Sequence, residues 1–66
     1  MKLIENVGKL IRTYASFTSA KSFAVRKLKA IIDWLWLSKD MNVVSEGEFK
    51  TLYDLAIDAI VELETP

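Results

Sequence analysis

The sequence predicts an all-α chain, a first helix followed by an antiparallel hairpin of two more, that pairs with itself into a homodimeric bundle. Apolar residues recur at helical spacing in three stretches. A Ser-x-x-Glu box at Ser45 to Glu48 marks the start of the last of them. Between them, Ala30 to Leu37 reads Ala-Ile-Ile-Asp-Trp-Leu-Trp-Leu, which as a helix turns a large apolar side chain to every side. Such a helix is normally buried all round, yet a chain of 66 residues buries only about 60% of its unfolded surface. The excess requires a second copy or another protein. Residues 1–66 read as a single domain, without internal repeat or low-complexity tract.

In the first helix Leu3, Val7, Leu10, Tyr14 and Phe17 form a seam at alternating spacings of four and three, flanked by Ile4 and Ile11. Lys2, Glu5, Lys9 and Arg12 fall on the opposite face. Gly8 costs about 1 kcal/mol relative to Ala in a helix interior, which a close helix crossing there would justify. Ser16 to Ser22 is rich in hydroxyls, which compete for backbone hydrogen bonds and favour caps over helix interiors. A break is expected here, with Thr18 or Ser19 as the next N-cap; the rival is one continuous helix to Leu37, since neither Gly nor Pro enforces the break.

The second helix carries three apolar seams: Ala24, Leu28, Ile31 and Leu35; Val25, Ile32 and Trp36; Phe23, Ala30, Trp34 and Leu37. One can meet the first helix and one the third, leaving one over. Trp34 and Trp36 stand about 200° apart, so they enter different layers. One serves the internal core and the other anchors an interface, where Trp is enriched. The interface expected from sequence is Trp34, Trp36, Ile32, Leu37, Phe23 and Tyr14. Asp33, set in the same stretch, reads as a buried ionisable group, as a specificity device at an interface, where a polar residue can fix register, or as the wet edge of the helix.

Ser38 to Val44 is a short connection, which makes the second and third helices antiparallel. The third helix opens with the reciprocal Ser45 and Glu48 cap and with Val44 and Phe49 placed as a hydrophobic staple. Phe49, Leu52, Tyr53, Ala56, Ile57, Ile60 and Leu63 then hold one apolar face. The stretch Val44 to Tyr53 resembles the later helices of the Hha family of small bacterial nucleoid modulators, which act by binding another DNA-organising protein. The shared features are the capping box and the apolar period, and no residue role is carried over.

The net charge is zero, yet Met1 to Ile32 holds seven basic residues against Glu5, a net +6, while Asp33 to Pro66 holds eight acids against Lys39 and Lys50, a net −6. Such asymmetry fits either a charged partner or neutralisation between the halves, within the bundle or across a dimer. Lys21, Arg26, Lys27 and Lys29 are the densest basic patch. Asp54, Asp58 and Glu62, spaced by four, form an acidic stripe, and like charges at that spacing are mildly repulsive.

With no histidine and no cysteine, serine and cysteine triads are excluded, as are the commonest zinc ligands. Two glycines cannot build a glycine-rich phosphate loop. No enzyme and no cofactor are expected. Charges at Glu5, Lys9 and Arg12 interrupt any signal-peptide core, and the apolar run is far short of the roughly 20 residues of a membrane span. The expectation is a cytoplasmic, non-catalytic regulatory or accessory protein, of the size and composition of small bacterial or phage regulators. It would act by protein–protein interaction as a homodimer; the alternative is a nucleic-acid-binding regulator that uses the basic half.

Overall fold

The computed structural model describes the backbone of residues 2–65 and the side chains of residues 5–65. Within them the chain forms three helices and no strand: α1 (Lys2–Ala15), α2 (Lys21–Asp40) and α3 (Glu46–Glu64). Leu3 and Ile4, placed in the first seam from sequence, and Lys2, placed opposite it, have side chains outside the described set. The body measures 36 × 19 × 16 Å. A helix of 20 residues is about 30 Å long and about 10 Å across, so the bundle is one helix long and two helices thick.

The break between α1 and α2 falls in the hydroxyl-rich stretch, but the cap differs from expectation. Ala20, not Thr18 or Ser19, holds the N-cap position, and no side chain caps α2. The turn is closed instead by backbone bonds, Phe17 N–H to the Tyr14 carbonyl (3.0 Å) and Thr18 N–H to the Ser16 carbonyl (2.9 Å). The Thr13 and Ser16 hydroxyls donate to carbonyls upstream, on Lys9 at 2.8 Å and Thr13 at 2.7 Å, so neither serves α2.

α2 runs on through Asp40, past the Ser38 boundary expected from sequence, and ends in a Schellman motif. Val43 N–H donates to the Ser38 carbonyl (2.8 Å) and Asn42 N–H to the Lys39 carbonyl (3.0 Å). Asn42 sits at φ 59°, the left-handed region that Asn tolerates better than other residues with a Cβ. Two residues beyond Val43, Ser45 caps α3 as expected: Glu48 N–H donates to Ser45 Oγ (3.2 Å), and Ser45 N–H donates to Glu48 Oε1 (3.0 Å). Hydrogen bonding to the carboxyl from Ser45, first from its backbone N–H and then from its side chain, holds Glu48 below the ordinary glutamate range.

The core is built from Val7 and Ile11 of α1, Ala24, Leu28 and Leu35 of α2, Val44 of the turn, and Phe49, Leu52, Ala56, Ala59, Ile60 and Leu63 of α3. Ile11, Leu28 and Leu35 are the largest fully buried side chains, each worth about 1.5 to 3 kcal/mol of apolar burial. Ile11, expected at the flank of the first seam, is its centre, and Leu10 is left 43% exposed. α1 lies across both other helices, so its buried face points between them. No buried side-chain polar atom among the described residues lacks a partner.

α2 and α3 share the most extensive packing and α1 and α2 the least. Trp36 against Phe49 near the α2–α3 turn, and Tyr14 against Phe23 near the α1–α2 turn, make both neighbouring pairs antiparallel. α1 therefore runs parallel to α3. Gly8 does not mark a close crossing: a Cβ built there would meet nothing within 4 Å. It lines a cleft of about 310 Å³ between α1 and α3, together with Arg12, Thr51 and Leu55 among others.

Gly8→Ala is expected to stabilise the fold by about 1 kcal/mol, raising the thermal midpoint by about 4 to 8 °C in a circular dichroism melt. Ser45→Ala removes a cap and is expected to cost about 1 kcal/mol in urea denaturation. The lowered Glu48 carboxyl contributes stability that is present above the unfolded glutamate pKa and is lost as pH falls through the folded value. Glu48→Gln is accordingly expected to flatten the acid side of the stability–pH curve.

Candidate functional site

The three seams of α2 meet three fates. Ala24, Leu28 and Leu35 are buried and Ile31 is half-buried. Val25 and Ile32 are half-buried against the core, with Trp36 on their side. Phe23, Ala30, Trp34 and Leu37 are all exposed. Phe23 is 45% and Leu37 57% accessible, and Met41, one turn further on, is 65% accessible. At about 100° per residue these positions stay within roughly a sixth of the helix circumference. They fall on one exposed stripe of α2, edged between Phe23 and Ala30 by Arg26 and Lys27.

The light packing of α1 on α2 widens this stripe into a groove. Val7, Leu10 and Tyr14 on one wall and Lys27, Ala30, Ile31 and Trp34 on the other enclose about 360 Å³ of mainly apolar space. Trp34 stands at the α2 wall, 37% exposed. Contiguous exposed apolar surface of this kind marks interaction sites more often than it occurs by chance on a monomer.

Trp36 does not belong to that surface. Its ring centroid lies 4.8 Å from that of Phe49 and 6.0 Å from that of Tyr53, both on α3. Lys39 Nζ sits 5.3 Å above Trp36 and 4.9 Å above Phe49, closing the cluster with cation–π contacts. Although 46% exposed, Trp36 ties α2 to α3. Of the interface expected from sequence, Tyr14 and Trp34 line the α1–α2 groove, Phe23 packs on Tyr14, and Leu37 is exposed on the same stripe of α2. Ile32 and Trp36 lie on the α3 side. Tyr14 and Phe23 also pack with Phe17 as an aromatic triad that closes the α1–α2 turn, at centroid distances of 5.5 to 6.2 Å. Asp33 is exposed, which corresponds to its wet-edge reading and removes the buried one.

The basic patch divides. Lys21, Arg26 and Lys29 line a cleft of about 490 Å³ between the start of α2 and the end of α3, and Glu64 lines it with them. Lys27 stands on the other side, in the α1–α2 groove and 5.4 Å over the Phe23 ring. Cations at a helix N-terminus and carboxylates at a C-terminus each oppose the local helix dipole. Antiparallel pairing places these unfavourable ends side by side, where opposite charges offset them. Asp54, Asp58 and Glu62 are all exposed and form an outward ridge on α3.

Among the described residues no group of three or more acidic side chains is arranged to hold a metal ion, and no helix is long and apolar enough to cross a membrane. Compared with protein-family models, with curated proteins and with solved structures, the chain finds no match. The likeness of Val44 to Tyr53 to the Hha family therefore rests on the capping box and the apolar period alone.

Trp36→Ala is expected to lower stability by about 1 to 2 kcal/mol, less than a fully buried Trp would cost, while leaving the association state of the protein unchanged. Chemical denaturation followed alongside light scattering measures both.

Proposed function

We propose that this chain is a small, non-catalytic regulatory or accessory protein that acts by protein–protein interaction as a homodimer. The α2 stripe and the α1 edge beside it are the surface through which two copies meet. The observation that carries this reading is the exposure of Phe23, Ala30, Trp34, Leu37 and Met41 along one stripe. Small single cores rarely supply more than about 3 to 5 kcal/mol without a staple, and with no cysteine in the chain no disulfide is at hand. Burying the stripe in a dimer supplies the missing apolar area, with Trp34 as the aromatic anchor.

Pairing through this face leaves the Asp54, Asp58 and Glu62 ridge outside, available to a basic macromolecule. A cytoplasmic setting suits a chain without cysteine. Direct nucleic-acid binding is the weaker reading, because Glu64 stands among the cleft cations and Lys27 is separated from them.

Light scattering on a sizing column at low micromolar concentration and tenfold higher is expected to give twice the chain mass for the natural protein. Leu37→Glu is expected to give a monomer with unchanged helicity. A wild-type monomer at both concentrations, or a Leu37→Glu dimer, would overturn the assignment of this surface.

A further inference from the structure

Resting on the homodimer reading, we infer that the two copies of α2 pack antiparallel, crossing at Ala30, with Arg26 of each copy against Asp33 of the other. The arrangement follows from where the charges lie along the stripe. Phe23 and Leu37 are seven residues either side of Ala30, so a two-fold axis at Ala30 brings Phe23 of one copy opposite Leu37 of the second. Ala30 is small and exposed, which lets two helix backbones approach closely at the crossing.

Arg26 and Asp33 are exposed and lie seven residues apart, within about 20° of each other around the helix. They therefore border the same edge of the stripe. In an antiparallel pair the two-fold axis keeps that edge on one side for both helices. It sets Arg26 of one copy within about one residue rise, about 1.5 Å along the axis, of level with Asp33 of the second, and the same pair forms twice. On the other edge, Lys27 of one copy comes to the level of Trp34 of the second with a similar offset, a favourable cation–π placement.

A parallel pair would instead bring the Arg26 and Asp33 edge of one copy against the Lys27 and Trp34 edge of the second, setting Arg26 beside Lys27 and Asp33 beside Trp34. Juxtaposed like charges suppress wrong arrangements, whereas complementary ones fix register. A second copy of this chain in antiparallel orientation is thus the occupant whose charges match this stripe at both ends.

Sedimentation equilibrium on charge-reversed variants tests the inference. Arg26→Asp alone and Asp33→Arg alone are each expected to weaken dimerisation about tenfold, since each reversal disturbs two symmetry-related pairs. The double variant is expected to recover most of that loss. If Arg26 acted only within its own chain, beside Glu64 in the α2–α3 cleft, Asp33→Arg would not rescue Arg26→Asp, and the pairing would be overturned.

Cysteine variants give an independent reading, because the natural chain has none. Ala30→Cys is expected to form a disulfide-linked dimer on mild oxidation. Leu37→Cys is expected not to, because antiparallel packing holds those positions about 21 Å apart along the axis. A Leu37→Cys disulfide dimer would mark parallel packing. A natural chain that is dimeric but indifferent to both charge reversals overturns the orientation while leaving the homodimer in place. A natural chain that is monomeric at every concentration overturns both.

Discussion

Everything in this molecule is arranged around a helix with more apolar surface than the chain has helices to cover. α2 presents one face to the core and a second flank to α3. Two neighbouring helices cover less than the whole circumference of a third, since each contact occupies roughly one ridge and groove. α1 could have closed the remaining side only by packing hard against α2, and it instead lies across both α2 and α3, burying Val7 and Ile11 between them. The exposed stripe is the geometrical remainder of that choice. It is a property of helix count as much as of composition.

The same arrangement decides where charge sits. Because α2 and α3 are antiparallel, the basic beginning of one adjoins the acidic end of the other, and the +6 and −6 halves of the chain are folded against each other at that end. Lys27 and the ridge of Asp54, Asp58 and Glu62 are left out of that pairing. What an approaching molecule meets is therefore an acidic ridge on α3 and, on α2, an apolar strip edged by isolated charges.

Helix periods made most of the fold legible. Three apolar seams on α2 are separable by spacing alone, and that one of them lacks a partner follows once only two other helices exist, but spacing does not say which. The capping box and the Val44 and Phe49 staple fix the start of α3 because they are short-range devices encoded within a few residues. The start of α2 was not legible to the residue, since Ala20 has no side chain to announce a cap and the nearby hydroxyls bond backward into α1. Nor could spacing assign the two Trp residues: that Trp36 is held to α3 depends on Phe49, Tyr53 and Lys39 converging from both sides of a turn. Gly8 misled for a related reason, because a glycine in a helix is equally compatible with a close approach and with an open cleft.

The two turns of the bundle are built by different means. Between α2 and α3, the Schellman bonds of Asn42 and Val43 are followed almost at once by the Ser45 cap, and the Trp36 cluster locks the hairpin just above them. Between α1 and α2 no side chain caps the second helix, and the packing of the two helices is the lightest in the molecule. Cooperative units of a protein open in order of their local stability. The hairpin is thus the unit expected to persist, and α1 the segment whose amides are expected to exchange with solvent first, through excursions that leave α2 and α3 paired. Each such excursion uncovers the Val7 and Ile11 side of the core, so the least protected helix is also the one that borders the apolar stripe.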